Sequence, residues 1–102
     1  MFSHIVIFWT KPDMEDAEQQ LVDGLNRYLP GIPGVISMHV GKCVPSNRPV
    51  VDQSYQVALN ITFKNKVVQD AYQAHPQHVR FVEEVFKQVC DRVVVYDFGD
   101  LE

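Results

Sequence analysis

The run Phe2-Ser3-His4-Ile5-Val6-Ile7-Phe8-Trp9 constrains the fold more than any other stretch. β-Branched and aromatic residues fill it, so it reads as a strand. Side chains alternate along a strand, which sends His4, Val6 and Phe8 one way and Ile5, Ile7 and Trp9 the other. Both sets are apolar apart from His4, and a strand of that kind has to be covered on both faces. Helices of the same chain can cover one face. The second needs another layer, and 102 residues make one domain with a modest core.

The remaining segments say what those layers are. Pro12 and Asp13 announce a helix, with Asp13 as its N-cap and Glu15 and Asp16 at the positive end of the helix dipole. Ala17, Leu21, Leu25, Tyr28 and Leu29 recur at helical spacing, and Gly31-Ile32-Pro33-Gly34 stops the helix. Val35 to Val44 alternates as a strand, with Ile36, Met38 and Val40 on one face and Ser37, His39, Gly41 and Cys43 on the other. Pro45 to Gln53 is an exposed loop. Tyr55 to Phe63 is the clearest alternating strand, with Tyr55, Val57, Leu59, Ile61 and Phe63 on its large face. A short helix carrying Val68, Ala71 and Tyr72 follows. Pro76 breaks the pattern, and a second helix presents Val79, Val82, Val85, Phe86 and Val89. Arg92 to Phe98 is the last strand, with an acidic tail from Asp97 to Glu102.

The order β-α-β-β-α-β predicts an α+β, ferredoxin-like fold over a single domain, residues 1–102, with an antiparallel sheet and its second helix broken at Pro76. A weak internal repeat points the same way: Ile7, Asp16, Ala17 and Gln19 match Ile61, Asp70, Ala71 and Gln73 at a constant offset. Two helices on one face leave Ile5, Ile7 and Trp9 bare on the other, too much apolar surface for a monomer. A second copy packing sheet against sheet covers them, giving a homodimer and a dimeric α+β barrel. Asn60 and Thr62 suit a partly polar barrel interior.

Composition narrows the partners. Hydrophobic residues make up 46% and charged residues 22%, ordinary for a globular protein, and the net charge of −4 argues against nucleic acid or an anionic membrane. Cys43 and Cys90 form no disulfide framework and read as reduced, cytoplasmic-type residues. The start of the chain is apolar only from Ile5 to Trp9 and lacks the basic region of a signal sequence, and no stretch approaches a membrane span.

The chemistry concentrates in Ala71-Tyr72-Gln73-Ala74-His75-Pro76-Gln77-His78-Val79-Arg80-Phe81-Val82. Pro76 favours the first turn of a new helix, so Tyr72, His75 and His78 gather at a corner between two helices. A histidine acts as a base near neutral pH, and a tyrosine can hold a carbonyl or enolate oxygen, so Tyr72 and His78 suit proton abstraction beside a carbonyl. The plainer alternative is a corner histidine satisfying backbone and a core tyrosine. His75 precedes proline and suits a helix cap. His4 shares the face of Val6 and Phe8 and can meet His78 from the sheet. A metal site from His4, His75 and His78 is conceivable by residue type, but the spacing is not that of a zinc helix motif. No phosphate-binding glycine loop or nucleophile elbow is present.

With His4-Ile5-Val6 at the start, Ile32-Pro33-Gly34-Val35 after the first helix, His75-Pro76-Gln77-His78 followed by Phe81, and Tyr96-Asp97-Phe98 in the last strand, the chain resembles the stress-responsive A/B-barrel (Dabb) family over nearly its full length. The resemblance implies a dimeric α+β barrel of two ferredoxin-like units. A plant member, olivetolic acid cyclase, folds a linear polyketide by aldol condensation. Tyr72 and His78 stand where that cyclase places its catalytic pair, and His4 matches a pocket histidine. A further pocket histidine falls at Val57, and aromatic lining residues fall near Val22 and Leu25, so the resemblance places these three at the substrate pocket while changing its polarity; His75, at the same helix corner, is expected to help cap that pocket. Some plant members hold a cation such as Mg through backbone carbonyls, at positions matching Leu29, Ile32 and Val35; otherwise the resemblance implies no cofactor.

The expectation is a homodimer with a small apolar pocket for a carbonyl-bearing organic molecule, working as a cofactor-free cyclase, isomerase or lyase. The alternatives are a non-enzymatic stress-protection or interaction protein and a dimeric-barrel oxygenase, with or without haem. The haem version requires an absorbance change when the protein is titrated with haemin, and a flat titration removes it.

Overall fold

The computed structural model describes residues 1–101. Strand β1 (Phe2–Thr10) leads through a turn to helix α1 (Ala17–Tyr28), then to β2 (Ser37–Lys42) and β3 (Val57–Phe63). Helix α2 (Lys66–Ala74) is followed by α3, which opens as Pro76–Phe81, passes through a π-helical turn at Val82–Phe86 and closes with Lys87–Val89. Strand β4 (Cys90–Gly99) ends the fold. The four strands form an antiparallel sheet in the order β2-β3-β1-β4, the ferredoxin-like arrangement. No helix among the described residues is long and apolar enough to cross a membrane.

Alternation decides which face the helices cover. Phe2, Val6 and Phe8 of β1 and Val57, Leu59, Ile61 and Phe63 of β3 are buried against Ala17, Leu21 and Leu25 of α1 and Phe81 and Val89 of α3. On the opposite face the register lines Ile5 against Tyr96 and Ile7 against Val94, beside Ala58 and Asn60 of β3. Tyr96 and Phe98 keep 60% and 59% of their surface exposed there. Trp9 continues this face, with Tyr55 packed edge-on to it at 6.4 Å and the Arg92 guanidinium 4.1 Å over its ring. Both faces of β1 are therefore apolar as read from the sequence, and one of them is open.

Several local expectations are corrected. Asp13 lies in a turn and caps nothing; α1 starts at Ala17, with Asp16 at the N-cap holding the Gln20 side chain at 2.8 Å. Met38 and Val40 pack on the core, but Ile36 precedes β2 and is exposed. Tyr55 precedes β3 and packs on Trp9 rather than continuing the buried face of Val57. Ala71 is exposed because α2 turns Gln69 and Tyr72 inward, and Val79 is exposed because the break at Pro76 resets the helical phase and turns His78 and Phe81 inward. The internal repeat has no structural basis: Ile7 is half-buried on the open face, whereas Ile61 is fully buried under the helices. Asp97 and Phe98 belong to β4, and of the expected acidic tail Glu102 lies outside the described residues.

The turn after α1 needs both of its glycines, for different reasons. Gly31 and Gly34 adopt φ of 93° and 96°, the left-handed region that side chains disfavour. A Cβ at Gly31 would meet nothing within 4 Å, whereas one at Gly34 would lie 2.3 Å from the Val68 Cγ1 on α2. Gly31→Ala should cost about 1 kcal/mol from backbone strain alone. Gly34→Ala should cost more, about 2–4 kcal/mol, because the clash adds to the strain. Urea unfolding at fixed protein concentration checks the order, and equal costs would mean that Val68 moves aside freely.

Candidate functional site

The corner expected at Pro76 is built by three capping bonds. The Asn65 side chain accepts the Val68 N–H at 3.0 Å and starts α2. His75 has an extended backbone (φ −64°, ψ 140°), which ends α2, and its N–H reaches the Tyr72 carbonyl at 3.1 Å. The His75 Nδ1 then accepts the Gln77 N–H at 3.1 Å and starts α3, with Pro76 in the first turn. His75 is thereby a capping residue, and its ring does not line the cavity described next.

The corner swings Tyr72 and His78 together. Their ring centroids lie 4.9 Å apart at an interplanar angle of 64°, and Tyr72 also packs on Phe63 at 4.9 Å. From the sheet, His4 meets Tyr72 edge-on at 6.2 Å. Tyr72, His78 and His4 wall a cavity of about 440 Å³ between the helices and the β1–β4 side of the sheet. That volume falls in the range of small-molecule sites. Its floor grades in polarity along the paired strands, from His4–Asp97 through Val6–Val95 to Phe8–Val93. Phe86, from the π-helical turn, closes the apolar end over Phe8 at 6.0 Å. A π-helical turn is uncommon and often sits at a functional site. Here the Lys87 N–H reaches back to the Val82 carbonyl, and both Val82 and Phe86 line the cavity.

Each polar group in the wall has a distinct state. The Tyr72 hydroxyl is buried, and among the described residues no group hydrogen-bonds it. Burial pushes its pKa well above the ordinary value of 10, so it is a protonated donor at neutral pH. Burial, with repulsion from His4 as a lesser cause, lowers His78 from 6.5 to about 4, so its ring is a neutral imidazole at pH 7. The His4 Nδ1 lies 2.5 Å from the Asp97 Oδ1. An ionised carboxylate only accepts, so Nδ1 carries the proton and Nε2 is the free nitrogen of that ring. Gln69, 5% exposed, adds a carboxamide one helical turn before Tyr72, with its Nε2 donating to the Gln73 Oε1 at 3.0 Å.

Of the residues singled out from the sequence, the structure brings Tyr72, His78 and His4 into one cavity, with Leu29 in its wall. Val57 and Leu25 are fully buried in the core and Val22 packs against it, none of them on the cavity wall. The carbonyls of Leu29 and Ile32 each accept a backbone N–H within the turn, from Ile32 at 3.2 Å and Val35 at 3.5 Å. Three neutral carbonyls, two already engaged and no carboxylate in the turn, supply at most half the shell of a hard cation, which would draw the rest from water. No group of three potential metal-ligating side chains occurs among the described residues. Asp97 and Gln69 were missed. Strand alternation places Asp97 on the face of Val93 and Val95, and helical spacing places Gln69 beside Tyr72, so both signals were present.

A ferredoxin-like unit with a corner in its second helix and a cavity between that corner and the sheet defines a class of small α+β barrel subunits. The chain belongs to the Dabb family, the stress responsive A/B barrel domain, matched over residues 2–100. A stress-response A/B barrel domain-containing protein of Arabidopsis thaliana is 32% identical over 97 residues, covering 95% of this chain and 84% of that protein. Among solved structures, a Dabb family protein with a ferredoxin-like fold from Mesorhizobium loti superposes with a TM-score of 0.80 at 22% identity, covering 99% of this chain and 97% of that one. A dimeric ferredoxin-like protein of unknown function from Thermobifida fusca gives 0.77 at 19% identity, over 96% and 89% of the two chains. A hydroxynitrile lyase from Passiflora edulis gives 0.73 at 19% identity, over 95% and 90%.

The lowered His78 pKa links the site to stability. An unfolded imidazole takes up its proton near pH 6.5, the folded one only near 4, so the unfolded state binds more protons between those values. Stability should therefore fall as pH drops from 6.5 to 4, by about 1–3 kcal/mol from this group. His78→Leu should flatten that part of the stability–pH curve measured by urea unfolding, and an unchanged slope would place the imidazole in a solvated setting.

Proposed function

We propose that the cavity binds a small carbonyl-bearing organic molecule and that Tyr72 and His78 carry out acid–base chemistry on it without a cofactor, in the cyclase, isomerase or lyase class. The observation that carries this reading is the buried Tyr72 hydroxyl. A buried donor without an acceptor costs free energy, about 1–3 kcal/mol, that a ligand oxygen would recover. Nothing in the packing of Phe63 and His78 around the ring requires a hydroxyl there. A carbonyl oxygen on Tyr72 puts the neighbouring carbon beside the neutral ring of His78, which accepts its proton while Tyr72 holds the enolate oxygen. The His4–Asp97 pair stands across from them as a second, oriented imidazole. The apolar end at Phe8 and Phe86 takes the body of the ligand. One protein of this fold is a hydroxynitrile lyase, so the architecture is compatible with lyase chemistry. The non-enzymatic alternative gives no role to the unpartnered hydroxyl.

The working unit in this proposal is a homodimer formed through the open sheet face. Ile5, Ile7, Trp9, Tyr96 and Phe98 supply its apolar surface, and Asn60 and the Ser37–Thr62 hydroxyl pair its polar part. A dimeric protein of the same fold supports it. Light scattering at micromolar concentration should give twice the subunit mass, and Ile7→Glu should give the subunit mass. A monomeric wild type would overturn the assembly.

The chemistry is tested by hydrogen–deuterium exchange at the α-carbon of acetophenone in heavy water, followed by proton NMR. The wild type should accelerate exchange over buffer, and Tyr72→Phe and His78→Gln should each lower the rate by about 100-fold or more. Exchange that is absent, or that survives both substitutions, would remove the enzyme reading.

A further inference from the structure

Gln69 is the one buried uncharged polar residue that the proposed chemistry leaves without a task. Its side chain is 5% exposed on a helix that could equally present a leucine there, and it lines the cavity. Burying a carboxamide is costly unless its hydrogen-bonding groups are used. One group is used: Nε2 donates to Gln73, which lies one turn further along α2 and is itself exposed. In the orientation the structure gives the amide, that bond engages Nε2. It leaves the Oε1 of this wall residue as an acceptor, and among the described residues nothing donates to it.

Helix geometry sets what this acceptor can read. Gln69 and Tyr72 are three residues apart on α2, so their side chains leave the same face with Cβ atoms about 5–6 Å apart. A ligand whose carbonyl oxygen accepts from Tyr72 has its next atoms within reach of Gln69. Tyr72 requires an acceptor on the ligand and Gln69 requires a donor. Building on the proposed carbonyl site, we infer that Gln69 is its specificity-determining residue, selecting carbonyl compounds that carry a hydroxyl within about three bonds of the carbonyl oxygen. Gln73 is the positioning residue that holds the amide in the accepting orientation. The cavity thus favours a hydroxy-carbonyl ligand over a simple ketone, and rejects an alkoxy analogue because two oxygen acceptors would face one another.

The test compares acetophenone, α-hydroxyacetophenone and α-methoxyacetophenone by NMR titration of the wild type, Gln69→Leu and Gln69→Met. The methionine variant keeps the length of the side chain, so one well-folded apolar replacement is available if leucine perturbs α2. The wild type should bind the hydroxy compound about tenfold more tightly than the other two, the worth of one neutral hydrogen bond. Both variants should lose that preference, read within each variant as the ratio of its affinities for the hydroxy compound and for acetophenone. If the methoxy compound binds as well as or better than the hydroxy compound, or the preference survives in the apolar variants, the assignment of Gln69 is wrong. Acetophenone binding that weakens in Tyr72→Phe would then leave the carbonyl site standing. If none of the three compounds binds the wild type, the carbonyl site fails and the role of Gln69 with it.

Discussion

The site depends on a missing hydrogen bond. Pro76 has no N–H, so the helix carrying Tyr72 cannot run on into the helix carrying His78. In one continuous helix two residues six apart would project about 120° from each other and about 9 Å along the axis, too far for ring contact. The break removes both separations, and the rings meet at 4.9 Å. His75 makes the break inexpensive. Its backbone N–H closes α2 on Tyr72 and its ring opens α3 on Gln77, so the end groups nearest the corner are satisfied where a chain interruption would otherwise expose them. One proline and one histidine thus turn a helical pattern into a concave wall.

The other wall comes from the sheet, and there the limiting feature is that β1 is shared. Its even-numbered residues face the helices and end in His4 and Phe8, which define the polar and apolar ends of the cavity floor. Its odd-numbered residues face away and, with Tyr96 and Phe98, form the open apolar surface. A change on one face leaves the other in place, because side-chain direction strictly alternates. The open apolar face and the cavity are therefore physically separable in this chain. They meet through the backbone of the strands they share, β1 and β4 above all.

Periodicity made the fold legible. The two-faced β1, the buried alternation of β3 and the glycine turn after α1 all follow from rules that act within a few residues, and so do the corner at Pro76 and the capping role of His75. What escaped was set by longer range or by phase. Val79 was assigned to the buried stripe in place of Phe81, because nothing local reports the angle at which a broken helix restarts. Asp97 stands in the sequence at the overlap of the last strand and an acidic tail, because two further acidic residues, Asp100 and Glu102, close the chain after it, although its strand parity aligns it with Val93 and Val95. Val57 and Leu25 were placed at the pocket by analogy with another sequence, and packing puts both in the dry core, where their apolar side chains belong. Tyr72 and His78 were legible as a pair, but not the unpartnered hydroxyl, since satisfaction of a buried group is a property of the assembled wall.

Three histidines at this end of the molecule show how one side chain is given different work by its surroundings. His75 spends a ring nitrogen on backbone and becomes a fixed cap. His4 lies against the Asp97 carboxylate, which fixes its tautomer and orientation. His78 has no carboxylate beside it; it is buried against aromatic rings, which disfavours its charged form. Acid–base sites need titratable groups whose environments push them apart, so that one holds a proton where another accepts it. In this cavity Tyr72 and His78 are pushed apart in this way chiefly by burial, with His4 a lesser influence on His78. A ligand that develops negative charge between them would strengthen both hydrogen bonds at once, since a low-dielectric wall magnifies every charge interaction within it. The same dryness that makes the lone Tyr72 hydroxyl unfavourable without a ligand is what would make it effective with one.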